Sequence, residues 1–352
     1  MVSPIATERS ALPLIQMVRG LLRRPQRMLL EAADRVWEVA PAATETAPSA
    51  YFLPGQLERV TGWEFMSEHP AREMKGGMEA EHAPTRAFLL KDATLLDGVL
   101  YKGQACSHLH PRRARLELRV QEEIERAAVY CTFPGNRWFG QWLKDDCATY
   151  ALACEEGTPT TTAQPVSEHA RGYEERLNMT PHRTQGARLR EAVVFEDFGQ
   201  NRNKHARFRD MCAKLRASVD AQSHPGVFIM RGSSGDRRAF LNEAEIADHL
   251  ATQRGFRIVD PNRADLPTIV ETCAGARTVV GVEGSQLMHG VLALETGGSI
   301  LALQPQDRFV PNYKHLADRD RQHFGFVVAE RDGEDYRCDI SEIERTLDLL
   351  PG

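Results

Sequence analysis

Residues 279–304 read VVGVEGSQLMHGVLALETGGSILALQ, and this stretch decides the fold class. An apolar run over 277–281 leads into Gly284 and Ser285. Residues 286–294 then carry helical spacing, and Gly297-Gly298 opens a second apolar run. Strand, glycine turn, helix, strand is the unit by which α/β proteins hold phosphate. Small residues let the backbone approach an anion, and a helix start offers unpaired N–H groups at the positive end of its dipole. The stretch therefore implies a ligand that carries phosphate.

Working outward, the same texture extends over the last third of the chain. Apolar runs at 227–230, 256–259, 278–281 and 299–303 alternate with helical patterns at 242–253, 266–274 and 285–294. Strands alternating with helices of about ten residues imply βαβ units and a parallel sheet. Ser341 with Glu344 three residues on predicts the start of a last helix by a capping box. Upstream the pattern is shorter and mixed. Residues 88–90 and 98–101 predict a hairpin, 138–153 a helix with apolar positions spaced by three and four, 191–198 a buried strand and 203–219 a helix. Residues 157–165 (GTPTTTAQP) read as a polar loop, and 40–49 (APAATETAPS) as a loop or linker. Residues 11–40 carry an amphipathic pattern with Arg19, Arg23, Arg24 and Arg27. That pattern is read as a solvated helix on the first domain, or as a basic face that touches anionic lipid. The resulting division is 1–50 as N-terminal helix and linker, 51–222 as a first domain, 223–340 as a second, Rossmann-like domain, and 341–352 as a C-terminal helix.

Composition bounds the function. A chain of 352 residues with 42% hydrophobic residues favours two domains with sizeable cores. A net charge of −5 gives no electrostatic reason for a nucleic-acid partner. The seven cysteines are scattered and form no C-x-x-C pair, which argues against a zinc site or a disulfide framework and for a reducing compartment. There is no run of about 18 apolar residues and no apolar signal core, so the expected location is cytoplasmic, with peripheral contact at the inner membrane as the arginine-rich alternative.

Three groups of residues can carry chemistry. Arg231 ends a predicted strand, a Gly-Ser-Ser-Gly loop follows, and Arg237 and Arg238 come next; guanidinium groups beyond strand ends suit a diphosphate, and solvated arginines on an ordinary loop are the alternative. Gly284, Ser285 and Gln286 form the glycine motif, where Ser285 either caps the helix or donates to phosphate. Glu283 accepts hydroxyls or is a surface carboxylate, and His289 on the next helix is either structural or catalytic. Trp138 and Trp142 beside Asp145 and Asp146 suit a sugar site, since aromatic faces stack on sugar rings and a carboxylate can act as general base; the alternative keeps Trp142 and Phe139 in the core and Asp145 and Asp146 in solvent. Adjacent carboxylates alone lack the further ligands of a metal cage, so no metal and no cofactor are expected. A nicotinamide dinucleotide enzyme fits less well, because the G-x-G-x-x-G order is missing and the motif lies late in the chain.

Taken together, these segments resemble glycosyltransferase family 61, the group that includes bacterial capsular-polysaccharide-type transferases and eukaryotic O-linked GlcNAc and xylosyl transferases. The resemblance runs over roughly residues 133–303. It rests on the strand ending in Arg231, the loop with Arg237-Arg238, the Asn242-Glu243 pair, the GFRIVDP run at 255–261, the VVGVEGSQL run at 279–287 and, upstream, FGQWLKD at 139–145. Two positions depart from the family pattern: Glu283 and Gln141 each stand where the family has histidine, which leaves Asp145, Glu283 and His289 as candidate catalytic groups. The resemblance implies an α/β, GT-B-like architecture of two Rossmann-like domains facing across a cleft. It further implies inverting transfer without an essential metal, from a nucleotide-sugar donor, UDP-linked by expectation, to a glycan or polysaccharide acceptor. Donor contacts would come from Arg231, Arg237, Arg238, Gly284, Ser285 and Gln286, and acceptor contacts from Trp138, Gln141 and Trp142. A family member that binds nucleotide or glycan without turnover, having lost its histidines, is the second expectation. The motifs specify neither sugar nor linkage and leave the oligomeric state open.

Overall fold

The computed structural model describes residues 1–25, 27–64, 69–110, 118–232 and 239–351. The chain divides into two compact units, Met1–Ala43 with His82–Arg207 and Thr44–Glu81 with Phe208–Gly352. The boundary thus falls at Phe208 rather than 223, and most of 51–81, assigned to the first domain from sequence, counts with the second.

The second unit follows the expected alternation. Its strands are β1 (His224–Ile229), β2 (Arg257–Val259), β3 (Ala276–Val282), β4 (Ser299–Pro305) and β5 (His323–Asp332). They pair in parallel in the order 2-1-3-4-5, with Asp335–Arg337 antiparallel at the outer edge. Every residue of β4 is buried, as expected of a strand covered on both faces. Helices α1 (Glu243–Arg254) and α5 (Ile340–Leu347) cover one face, where Ile246, Leu250, Ile343 and Leu347 pack on Phe228, Val280, Leu301 and Val327. Helices α2 (Leu266–Gly275) and α3 (Leu287–Ala293) pack together on the other face. A Cβ on Gly290 of α3 would come within 2.4 Å of Val279 Cγ1, so glycine sets how closely that helix sits on the sheet. One expected cap moves: Asp339, not Ser341, caps α5, its carboxylate accepting from the Ser341 N–H at 2.8 Å. Asp339 stands before the first helical residue, where its short side chain reaches the unpaired N–H groups. The early segment is tied in by Gln56, which donates to Glu342 Oε2 at 2.9 Å and accepts from the Val328 N–H at 2.6 Å.

The first unit departs from the expected second Rossmann-like domain. Its nine-stranded sheet is mixed. Arg119–Val129 runs parallel to Gly186–Glu196 and to Thr158–Thr162, while Thr85–Leu96 runs antiparallel to Gly186–Glu196. The expected hairpin is present. Thr85–Leu96 and Val99–Lys102 pair across the two-residue turn Asp97-Gly98, whose φ values of 48° and 73° suit a tight hairpin. The first strand is far longer than the apolar run 88–90, because polar Lys91-Asp92 interrupts the pattern without ending the strand. Two further readings are corrected. Residues 158–162, read as loop, form a strand with Thr160, Thr161 and Thr162 buried; threonine is β-branched and fits a pleated surface. Among the described residues of 11–40, the α-helix covers only Leu12–Leu21, a 3-10 turn follows at Leu30–Ala32, and Arg35–Ala40 is a strand paired with Thr85–Leu96, in keeping with its period of two.

Candidate functional site

In the second unit the chain leaves β1 toward β2 on one side and leaves β3 toward β4 on the other. The carboxyl ends of β1 and β3 therefore flank a topological switch point, the place where open α/β sheets bind ligands. The loops that begin there carry Arg231 and the Glu283–Gln286 turn. Arg231 is only 3% exposed. Its Nη1 donates to the Glu283 carbonyl at 2.9 Å and reaches Gln286 Oε1 at 3.4 Å, so one guanidinium ties together the two sides of the switch point. Its own backbone is fixed by Glu243, the first residue of α1, whose carboxylate accepts from the Arg231 N–H at 2.6 Å and the Gly232 N–H at 3.0 Å. Beside it, the Asn242 amide donates to the Cys338 carbonyl at 2.8 Å and accepts from the Cys338 N–H at 3.2 Å.

The glycine turn is shaped by contact rather than by capping. Gly284 has φ 150°, and a Cβ there would lie 1.9 Å from Arg231 Nη1. The Tyr313 hydroxyl, from α4 (Asn312–Arg319), accepts from the Gly284 N–H at 3.0 Å and donates to the Gly284 carbonyl at 2.7 Å. Ser285 is exposed and does not cap α3; the cap position belongs to Gln286, whose amide turns back to the Val282 carbonyl at 2.9 Å. The expected capping role of Ser285 is thereby removed, because the helix begins one residue later. Glu283 is 5% exposed, at the end of β3, its N–H bonded to the Leu303 carbonyl at 2.9 Å. His289 is buried on a helix whose every residue is buried. Arg237 and Arg238 lie outside the described residues.

In the first unit, the expected helix begins at Phe139 rather than Trp138, whose backbone is extended, and it carries a π-helical turn over Trp142–Asp146. Trp138 is exposed and the Arg137 guanidinium stands 4.6 Å from its ring centroid. Gln141 is half-buried, and Trp142 stacks on Phe139 with ring centroids 5.9 Å apart. Asp145 accepts from the fully buried Lys204 Nζ at 2.7 Å. Lys204 also donates to the Asp197 carbonyl, and Asp197 takes a bidentate pair from Arg207 at 2.9 and 2.8 Å. Burial works to raise the Asp197 carboxyl, yet Lys204 and Arg207 outweigh it and hold it below its ordinary 3.8. Asp146 accepts from the Thr132 N–H at 3.1 Å and hydroxyl at 2.8 Å; burial pushes its carboxyl well above the usual range, with Thr132 pulling the other way. Next to this stretch, His110, Asn136, Arg137, Ala163, Gln164 and Arg183 line a cavity of about 730 Å³ that Pro165 completes. Gln164 Nε2 is buried there without a hydrogen-bond partner.

Among the described residues, no three His, Cys, Asp or Glu side chains gather into a metal-ligand set, and no helix is long and apolar enough to cross a membrane. All seven cysteines are free thiols. The family model for glycosyltransferase 61 matches residues 62–300, more than half of the chain and inclusive of every candidate above except Tyr313. The chain belongs to glycosyltransferase family 61. No curated protein matches it. As a family 61 chain it is a glycosyltransferase by family, so its substrates are a sugar donor and an acceptor. Two supports of the switch-point loops were not among the sequence candidates. Glu243 stood in a quoted motif without a role, and Tyr313 lies beyond the matched region with no motif around it.

Proposed function

We propose that this family 61 chain is an inverting, metal-independent transferase that takes a nucleotide-sugar, UDP-linked, as donor and a glycan hydroxyl as acceptor in polysaccharide assembly. The diphosphate is assigned to the switch point of the second unit and the acceptor to the Trp138 region and adjoining cavity of the first. One observation carries the reading: Arg231 bridges the β1 and β3 loops through the Glu283 carbonyl, which presents a pre-set cation at a ligand-binding strand end. Displacement at the anomeric carbon leaves negative charge on the departing diphosphate, and a fixed guanidinium answers it without reorganisation. The acceptor hydroxyl must lose a proton. Of the three candidate bases, the role is assigned to Glu283, which follows β3 at the switch point and whose carbonyl accepts from Arg231.

A thermal-shift titration with UDP tests the donor assignment; no stabilisation at millimolar nucleotide overturns it. Donor hydrolysis by Glu283→Gln tests the base. A full rate in that variant removes Glu283 from the role. Nucleotide binding without hydrolysis or transfer by the unaltered chain would instead favour the non-catalytic reading suggested by the absent histidines at 141 and 283.

A further inference from the structure

The N-terminal helix Leu12–Leu21 is turned inside out relative to a normal surface helix. It is held to the first unit through one face. Leu12 packs against the cluster of Leu96, Val99, Tyr101, Cys106 and Val120, and Pro13 is buried. One and two turns on, Gln16 Nε2 donates to the Gln104 carbonyl at 2.9 Å and Arg19 Nη1 to Gln104 Oε1 at 3.0 Å. Residues 12, 16 and 19 share a face by helical spacing. The polar side chains thus point at the protein. The apolar ones, Leu14, Ile15, Met17, Val18 and Leu21, point out, and Leu22 follows them; Leu21 is 77% and Leu22 63% exposed.

This is a concentration, not scatter. Half of the exposed large apolar side chains among the described residues fall between 14 and 28. A contiguous exposed apolar face marks an interaction site, because water disfavours it and isolated exposed residues would have been tolerated singly. Charge identifies the occupant. From Ser10 to Leu30 the sequence holds four arginines and no aspartate or glutamate. Arg23, Arg24 and Arg27 are exposed immediately after the apolar face. Apolar side chains beside an acid-free basic run match the acyl boundary and the anionic headgroups of a phospholipid surface. The helix is too short to cross that surface, and no described helix is long and apolar enough to do so.

We propose that residues 12–28 dock the protein on an anionic phospholipid membrane, with the helix lying in the interface plane. The inference stands independently of the donor and base assignments above. Flotation of the full chain with vesicles of phosphatidylcholine alone, and of phosphatidylcholine mixed with phosphatidylglycerol, tests it. Binding to the mixed vesicles only is expected. Arg23→Gln and Arg24→Gln should each lower the partition about fivefold, the effect of a basic residue near such a surface, and Val18→Glu should abolish it. All three substitutions are at exposed positions, and unchanged melting temperatures confirm that the fold is kept. Absence of binding to both vesicles overturns the proposal, as does equal binding to both. So does a dimer in light scattering that Val18→Glu converts to monomer, since a second copy would then be what covers the face.

Discussion

The switch point of the second unit and the π-helical turn of the first hold polar side chains of the same kinds and use them in opposite ways. At the switch point, Arg231, Glu243 and Tyr313 bond to loop backbone: to the Glu283 carbonyl, to the N–H groups of residues 231 and 232, and to both polar groups of Gly284. Their work is to hold two strand-end loops in one shape. In the π-helical turn, Asp145 bonds to a buried lysine that answers its charge, and Asp146 accepts from the Thr132 N–H and hydroxyl while burial raises its carboxyl. Residue type alone does not tell what a polar side chain holds in place; its partners do. A carboxylate whose partner is a fully buried lysine serves the fold first.

The sharpest test of the contrast is Asp145→Asn. Lys204 would keep its charge in a site without solvent, and breaking such a buried pair costs about 3–5 kcal/mol. Urea denaturation should show the loss; a variant with unchanged stability but no turnover would break the comparison and return Asp145 to catalysis. Next comes Arg231→Lys, which keeps a positive charge but loses the planar fork. Transfer should fall about 10²–10³-fold in kcat/KM, the usual cost of losing one charge-stabilising donor. A smaller effect is expected for Tyr313→Phe. It leaves Gly284 without its hydroxyl partner, worth about 1–3 kcal/mol, and should weaken the stabilisation that UDP gives in a thermal-shift assay.

The smallest effect is acid sensitivity at Asp197. Its folded carboxyl lies below the ordinary 3.8, because Lys204 and Arg207 outweigh the burial that would raise it. The stability it contributes is therefore complete above that ordinary value and is lost as pH falls through the lower folded value. Arg207→Met should flatten that part of the stability–pH curve, measured by denaturant midpoints from neutral pH down to about 3. An unchanged curve would show that Lys204 and the hydroxyls that donate to Asp197 set the shift without Arg207.

The second unit was legible because its strands are buried on both faces. VVGV and SILALQ announce themselves as continuous apolar runs, and the glycine turn between them fixes the connection. The first unit was not, because its strands carry other signals. Thr158–Thr162 is a buried strand made of residues that also populate loops, and Thr85–Leu96 passes through Lys91 and Asp92 without stopping. The site was half legible for a similar reason. Arg231 and Gly284 sit in motifs that follow apolar strand runs, so their place at the strand ends could be read from the sequence. Tyr313 acts through a fold contact with a residue 29 positions earlier, and no local pattern encodes that contact. Asp145 and Asp146 look alike in sequence, and no local pattern encodes the bond that Lys204, 59 residues on, makes to the first of them.

The bond from Gln56 to Glu342 spans 286 residues of chain. As the polypeptide leaves the ribosome, the 44–81 segment is made long before the strands and helix it docks on, while the first unit has all its residues once Arg207 is out. The first unit can thus fold early around a segment that belongs elsewhere, and the second closes only after α5 has emerged, a long-range closure of the slow kind. A cut between 207 and 208 separates no domain cleanly: it leaves 44–81 attached to the wrong fragment and strips the second unit of its partner to Val328 and Glu342.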